Sequence, residues 1–274
     1  MTSFGYIPRK TIVDEMSGAS KIFLTLAMSI SAMITFDTRF LLLVIAVSIS
    51  LFIMAKISFK EIKAILVFIF VFLLINNIAI FLFAPEQGVL IYGTRNELLR
   101  ISERYTITVQ QLYYQMNVTL KYFSIVPIAL VFFLTTDPAE FAWSLNTLGV
   151  SYKIAYAVSL ALRYIPEVQR NYRDISQAQQ ARGVDISKKA PIKARLKGVL
   201  TILFPLVFSS LDRIEQISNA MEMRGFGREK KRTWYSGRSF ISYDYIVAVI
   251  AILCIGLSVY TIVLNNGRFY NPFI

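Results

Sequence analysis

Histidine is absent from this 274-residue sequence, and its one cysteine, Cys254, lies inside an apolar run. These absences exclude a disulfide framework and a metal site built from cysteine and histidine, so no metal is expected. A Gly-x-x-x-x-Gly-Lys-Ser/Thr phosphate loop is also missing, so the chain is not expected to hydrolyse ATP itself. Charged residues make up only 17% of the chain, whereas soluble globular domains contain about 25%.

Hydrophobic residues make up 55% of the chain and are gathered in blocks of membrane-spanning length. The composition predicts an all-α, polytopic integral membrane protein with about five transmembrane helices and a further region of long helices. The first block, 22–55, is interrupted at Asp37. As one helix it would be about 50 Å long, which exceeds the ~30 Å hydrocarbon core, so it predicts a hairpin of two short helices. Lys21 and Lys56 flank the hairpin and are expected to extend toward the headgroups.

Three further spans are predicted at 64–84, 118–135 and 245–264, the last without any charge. The paired Asn76 and Asn77 inside the third span require partners within the helix bundle. The connection between the third and fourth spans, 85–117, is predicted to be an ordered loop with some amphipathic helix. The expected domains are an N-terminal membrane domain over 1–136, a cytoplasmic region over 137–244, and a C-terminal helix and tail over 245–274.

The distribution of positive charge predicts the orientation. Of the 29 Lys and Arg residues, 23 lie in the N-terminal arm, the connection after the hairpin, and the region 137–244. The positive-inside rule therefore places these segments and the N-terminus in the cytoplasm, and the C-terminus outside. We interpret the net charge of +12 as attraction to anionic lipid headgroups rather than to nucleic acid. No cleavable signal peptide is expected, because the first 21 residues are polar and mixed.

The cytoplasmic region is predicted to contain three helices. The first begins at Asp137-Pro138, a capping acid before proline, and ends at Gly149. Two long helical patterns follow, over 151–183 and 194–225, and each has an apolar first half and a charged second half. Each also contains a proline, Pro166 or Pro205, at which a kink is predicted. Their consecutive apolar residues are too few to span a bilayer, so we expect both helices to be half-buried against the membrane domain.

The two long helices end alike. Residues 175–183 read ISQAQQARG and residues 217–225 read ISNAMEMRG, so five of nine positions are identical. Glycine ends a helix in the left-handed conformation, and arginine there complements the helix dipole by about 0.3–1 kcal/mol. Ordinary helix termination explains each end but not its recurrence. A projecting guanidinium with five donors is suited to an acidic pocket on a partner. The candidate residues are Ala181, Arg182, Gly183, Met223, Arg224 and Gly225.

These ends, together with the Leu-Arg-Tyr-Ile-Pro sequence at 162–166 and the Met-Glu-Met-Arg-Gly-Phe sequence at 221–226, resemble the transmembrane T component of energy-coupling factor transporters. That family includes CbiQ-like cobalt-transport membrane subunits, and the resemblance covers nearly the whole chain. Met223 departs from the alanine of the family's Ala-Arg-Gly motif.

The resemblance implies a non-enzymatic subunit of an importer in a prokaryotic cell membrane, with no cofactor of its own. Its partners would be two ABC-type ATPases, which bind the ATP, and a small membrane subunit that binds a vitamin or a metal ion. Arg182 would engage one ATPase and Arg224 the other. The two long helices would cross and transmit ATPase closure to the membrane half.

Three alternatives remain open at this point. The chain could be dedicated to cobalt, nickel or biotin rather than shared among substrates. A membrane transferase would need clustered acids, and the nearest are Asp14-Glu15, expected to be solvated, and Asp212 with Glu215, expected to pair with Arg213 or neighbouring helices. A stand-alone transporter would use intramembrane polar groups, for which only Asn76, Asn77 and Lys121 qualify. The surface that meets the substrate-binding subunit is equally open: it could include Ala155, Ser159, Ala161 and the run 199–208, or these could pack within the chain.

Overall fold

The computed structural model describes residues 9, 11–100, 102, 105–187, 191–229 and 233–273. These residues form two compact units, which we call the apolar unit (4–136 with 238–274) and the motif unit (137–237). Seven cations used to predict the orientation lie outside the described residues: Lys10, Arg104, Lys188, Lys189, Lys230, Lys231 and Arg232.

The apolar unit opens with the predicted helical hairpin. A short helix, α1 (Ile12–Glu15), precedes α2 (Gly18–Ile34) and α3 (Thr38–Met54). Asp37 begins α3 by accepting a hydrogen bond from the Arg39 amide at 2.9 Å. Helices α2 and α3 have 17 residues each, which corresponds to about 25 Å. The break at Asp37 is confirmed, and both arms are shorter than a typical hydrocarbon core.

The remaining helices of the apolar unit include the three other predicted spans, each of which begins earlier than predicted. They are α4 (Phe59–Phe83), α5 (Gln87–Tyr92), α6 (Val109–Thr135) and α10 (Ser242–Leu264), with β1 (Glu97–Arg100) and β2 (Thr106–Thr108) before α6. The strands pair antiparallel, with Leu99 opposite Ile107. This hairpin was not predicted, and α6 begins at Val109 rather than at 118. The first turn of α6 tolerates polar residues because their side chains have hydrogen-bond partners. The Gln111 side chain, for example, accepts a hydrogen bond from the Gly88 amide at 2.8 Å.

The core of the apolar unit forms where α2, α3, α6 and α10 pack together. Two aspartates hold the ends of α10 against the hairpin. Asp244 accepts from the Ser17 amide at 2.8 Å, and Asp37 accepts from the Asn265 side chain at 2.8 Å. The buried cluster includes Met28, Phe40, Val44, Ile128, Val247, Ala251 and Cys254.

Two polar side chains that were expected to be solvated are buried in this unit. The Lys21 ammonium donates to the Thr135 carbonyl at 2.9 Å, so the expectation that it extends toward the headgroups is wrong. Asp14 is also buried, because it closes a capping box with Thr11 at the start of α1. Both groups satisfy backbone atoms that would otherwise be left unpaired away from water.

The intramembrane polar groups hold helices together. Lys121 donates to the Met33 carbonyl at 2.9 Å, and Asn77 donates to the Thr119 hydroxyl at 3.2 Å, which joins α4 to α6. The prediction that the asparagine pair finds partners in the bundle is confirmed for Asn77. Two of the three groups considered for a stand-alone transporter therefore have structural partners.

The motif unit contains α7 (Pro138–Thr147), α8 (Tyr152–Ala181) and α9 (Ile192–Met223). Asp137 accepts from the Ala139 amide at 2.7 Å, and Gly149 has a left-handed φ of 101°. The predicted limits of α7 and of both long helices are confirmed to within a few residues. Pro166 and Pro205 lie inside the uninterrupted helices α8 and α9, and the kinks there remain predictions.

Among the described residues, four helices are long and apolar enough to cross a membrane by length and composition: α4, α6, α9 and α10. The chain is thus a multi-pass membrane protein. The expectation that α9 is too short to span is wrong by this criterion. That expectation counted only consecutive apolar residues. The helix has 32 residues and contains an apolar window with a mean hydropathy of 1.5, although serines interrupt its apolar residues.

Candidate partner-binding site at two helix ends

Helices α8 and α9 lie side by side in opposite directions. Tyr156 near the start of α8 contacts Phe226 just after α9, and Glu167 in the middle of α8 forms an ion pair with Arg213 in the middle of α9. Moving forward along α8 therefore means moving backward along α9. A largely apolar groove of about 600 Å³ runs between them.

The first helix end is closed by two backbone hydrogen bonds. The amide of Gly183 donates to the Gln180 carbonyl at 2.9 Å, and the amide of Val184 donates to the Gln179 carbonyl at 3.0 Å. Gly183 has φ 86°. This pair of bonds is the Schellman motif, which needs a left-handed residue after the last turn. It leaves the Arg182 side chain exposed at the tip of α8.

The second helix end repeats this cap bond for bond. The amide of Gly225 donates to the Glu222 carbonyl at 2.9 Å, and the amide of Phe226 donates to the Met221 carbonyl at 2.9 Å. Gly225 has φ 67°. The backbone of Arg224 (φ −84°, ψ 9°) matches that of Arg182 (φ −85°, ψ 7°). The shared letters of the two ends therefore correspond to one shared backbone conformation, with each arginine exposed at the same position.

The two arginines are far apart. Arg182 caps the end of α8, whereas the end of α9 lies beside the first turns of α8, because Phe226 contacts Tyr152 there. A helix of 30 residues is about 45 Å long. The two ends are thus separated by roughly 40 Å, close to the length of α8, and cannot enter one small pocket together.

The residues that follow the two caps have different surroundings. Phe226 packs its ring against Tyr156, at 4.9 Å between centroids, and against Tyr152, at 5.5 Å. Tyr156 in turn lies 6.4 Å from Trp234, and the Trp234 indole donates to the Asn146 side chain of α7 at 3.0 Å. The second end is therefore joined to α8 through rings, and α8 to α7 through the tryptophan.

The segment after the first cap packs on α9 instead. A Cβ on Gly198 would lie 2.9 Å from Ile186 and 3.1 Å from Val184, so only glycine permits this approach. Asp185, between them, accepts a hydrogen bond from the Ser187 amide at 2.8 Å. That bond, together with one from the Ser187 side chain, lowers the pKa of the Asp185 carboxyl below its ordinary value.

Sequence reasoning missed the residues that hold the two ends in place. Arg213 pairs with Glu167. Asp212 and Glu215, which were expected to pair with Arg213 or with neighbouring helices, are both exposed. The role of Gly198 was not predicted either, because it depends on the segment after the first cap, which packs against this glycine from outside α9. The sequence does show a phenylalanine directly after the second glycine. Its contacts could not be predicted, because the tyrosines that it packs against lie about 70 residues earlier in the chain.

The residues considered for the surface that meets the substrate-binding subunit lie in different environments. Ala155 is fully buried within the chain, so at this position intrachain packing is the outcome. Ala161 lines the groove between α8 and α9, whereas Ser159 lines a second cavity of about 540 Å³ near Trp234.

Comparison with known proteins gives one family. The family model of CbiQ, a cobalt transport protein, matches residues 18–235. Similar proteins named energy-coupling factor transporter transmembrane protein EcfT occur in several bacteria. That of Exiguobacterium sibiricum is 37% identical over 124 residues, which cover 42% of this chain and 47% of that protein. That of Macrococcus caseolyticus is 28% identical over 183 residues, or 63% and 65% of the two chains. That of Bacillus subtilis is 31% identical over 148 residues, or 51% and 56%. The matches thus span about half to two thirds of the relatives' length.

Proposed function

The chain belongs to the CbiQ family of cobalt transport proteins, which confirms the family predicted from the sequence. We propose that it is the transmembrane coupling component of an energy-coupling factor importer. In this role it binds two ABC-type ATPases through Arg182 and Arg224. It transmits their closure to a small membrane subunit that binds a vitamin or another micronutrient. The chain has no phosphate loop, so the energy comes from its partners.

The observation that carries this proposal is the duplication of one cap at two distant places. Both arginines are exposed and have the same backbone conformation, yet roughly 40 Å separates them along α8. Two copies of one recognition element so far apart suit two similar partners better than one. An ATPase dimer offers two equivalent grooves, and an arginine forms charge-assisted, bidentate hydrogen bonds with a carboxylate in such a groove.

The motif unit lies on the cytoplasmic side of the membrane in this proposal, although α9 alone could span. Because α8 runs alongside α9, a membrane-spanning α9 would carry α8 into the bilayer. Each charged side chain at the centre of a bilayer costs about 2.5–3.5 kcal/mol. Helix α8 contains six of them: Lys153, Arg163, Glu167, Arg170, Arg173 and Asp174. The pair is therefore interfacial, with its apolar groove available to the substrate-binding subunit.

The proposal is tested with Arg182→Ala, Arg224→Ala and the double variant in membranes. Each single change removes one buried charge-assisted contact, which typically costs about 2–5 kcal/mol, so we expect binding of one ATPase to weaken roughly 30-fold or more. The double variant is expected to lose ATPase co-purification and uptake while it is inserted at normal levels. Arg173→Ala and Arg195→Ala are matched controls, since each removes an exposed cation from the same helices outside the motifs. If the double variant at normal levels still retains its ATPases and supports uptake, the proposal is wrong.

A further inference from the structure

The residue after each Arg-Gly pair packs differently at the two ends. At the second end this residue is Phe226, whose amide donates to Met221 of the last turn of α9 at 2.9 Å. Its backbone is therefore fixed to α9, while its ring packs on Tyr152 and Tyr156 of α8. One residue thus joins the end of one long helix to the start of the other.

We propose that Phe226 is a positioning residue that couples displacement of the Arg224 end to the start of α8, so that the second ATPase moves both long helices together. This inference rests on the proposed function. It concerns the path by which motion leaves the arginine, and not the binding of the ATPase itself.

The packing around Phe226 suits such a role. The T-shaped contact with Tyr152 (63° between ring planes) and the tilted contact with Tyr156 (42°) are attractive arrangements of aromatic rings. Tyr152 is 7% exposed and the neighbouring Ala155 is fully buried, so the rings meet a packed surface. Close-packed side chains transmit displacement rather than absorb it.

Among the residues that the structure describes around it, the first end has no equivalent connection. Val184 takes the same position in the cap, and its amide donates to Gln179 at 3.0 Å. Its side chain lies against Gly198, near the start of α9, which follows it directly in the chain. Because sequence already joins these two segments, the contact adds no link between distant parts of the helix pair. The role assigned to Phe226 is therefore specific to the second end.

The test uses the complete complex of this chain with its ATPases and substrate-binding subunit, reconstituted in liposomes. Uptake and ATP hydrolysis are measured in the same preparation. Phe226→Ala leaves Arg224 and the cap bonds in place, so the ATPases are expected to stay bound and to hydrolyse ATP. Uptake per ATP hydrolysed is expected to fall about tenfold, within the usual range of coupling between sites. Phe226→Tyr keeps the ring and is expected to restore the ratio to within about twofold.

Two further variants separate coupling from folding. Tyr156→Ala should lower the same ratio, and the double variant with Phe226→Ala should be no worse than Phe226→Ala alone, because both remove one contact. Val184→Ala is the matched control at the first end and should leave the ratio unchanged. Phe226→Leu keeps an apolar side chain without a ring. It replaces Phe226→Ala in the test if the alanine variant does not assemble with its partners.

The outcomes are distinct. A lowered ratio with bound ATPases supports the inference. If uptake and hydrolysis fall in parallel, or if the effects of Phe226→Ala and Tyr156→Ala simply add, Phe226 only supports the fold and the inference is wrong. If no variant changes the ratio, it is also wrong. Absence of ATPases from the parent complex would instead contradict the proposed function, and the inference with it.

Discussion

The two Arg-Gly ends share one backbone and differ in what surrounds it. Both close with the same two hydrogen bonds and a left-handed glycine, Gly183 or Gly225. The first is followed by aliphatic residues packed against Gly198, and the second by an aromatic ring packed against the far end of α8. The cap proposed as a recognition element is thus duplicated, whereas the packing that follows it is not. Two ends that present the same group can transmit motion differently.

The largest change would come from removing the left-handed glycines, which should break both ends. A side chain in the left-handed region costs about 1–2 kcal/mol, and a β-branched one costs more. We expect Gly183→Val and Gly225→Val each to lower the free energy of unfolding by about 2 kcal/mol or more and to weaken ATPase binding. A Cβ on Gly183 meets nothing within 4 Å, whereas on Gly225 it lies 3.4 Å from Arg228. The loss at the first end would therefore come from backbone strain alone.

Thermal unfolding in detergent and ATPase co-purification measure these losses. Asparagine tolerates the left-handed conformation, so Gly183→Asn and Gly225→Asn are the matched controls and should stay close to the parent chain. Equal losses for asparagine and valine would show that the side chain, and not the backbone conformation, is what these positions reject.

A change at Gly198 should break the first end alone. In Gly198→Ala the new Cβ would lie 2.9 Å from Ile186 and 3.1 Å from Val184. Such overpacking costs about 1–3 kcal/mol, partly offset by the better helix propensity of alanine, about 1 kcal/mol. We expect the segment after Gly183 to shift, so that the complex retains one ATPase instead of two.

Native mass spectrometry of the purified complex counts the bound ATPases. Adding Ile186→Ala to Gly198→Ala removes the closer contact and should restore the second ATPase. A complex that keeps both ATPases with Gly198→Ala, or loses both, would contradict the expectation that Gly198 supports ATPase binding at the first end alone.

The sequence alone predicts those features that depend on neighbouring residues. The start of α7 at Asp137, the break before α3 at Asp37 and both helix ends all follow from caps that are local in the chain. The hydrogen bonds between β1 and β2 do not follow from local sequence, since neither strand exists without the other. The burial of Lys21 depends on a carbonyl of Thr135, which lies on another helix. Long-range partners of this kind leave no local pattern.

The same reasoning applies to the candidate site. Arg182 and Arg224 were predicted because the repeated ends are visible in the sequence. Their separation was not, because it depends on the antiparallel packing of α8 and α9. Arg213 pairs with Glu167, 46 residues away, although two acids lie nearer in the chain. Asp212 and Glu215 are one and two residues from Arg213, and side chains at these spacings do not face each other on a helix. Asp212 and Glu215 are exposed to solvent instead.

Breaking the ion pair between Glu167 and Arg213 should affect the two ends equally, because it lies between them. Both side chains are half-exposed, so solvent screens the pair and its contribution is at most about 1 kcal/mol. Glu167→Gln is therefore expected to lower the melting temperature only slightly, and less so at high salt.

The charge exchange Glu167→Arg with Arg213→Glu is the control, and it should recover the parent melting temperature when either single reversal does not. A loss of one ATPase but not the other would show that the pair supports one end preferentially, against the symmetry expected from its position.

The smallest effect is expected from the residue before each arginine, one of the four positions at which the two ends differ in sequence. Met223 is 85% exposed, and Ala181 is exposed as well, so neither contributes much to packing. Met223→Ala and Ala181→Met should each change the free energy of unfolding by no more than about 0.5 kcal/mol. If the arginine and the helix cap alone are recognised, ATPase binding in both variants should stay within about twofold of the parent chain. A larger change confined to Met223→Ala would mean that the methionine contacts the ATPase at the second end, so that the two ends select different partners.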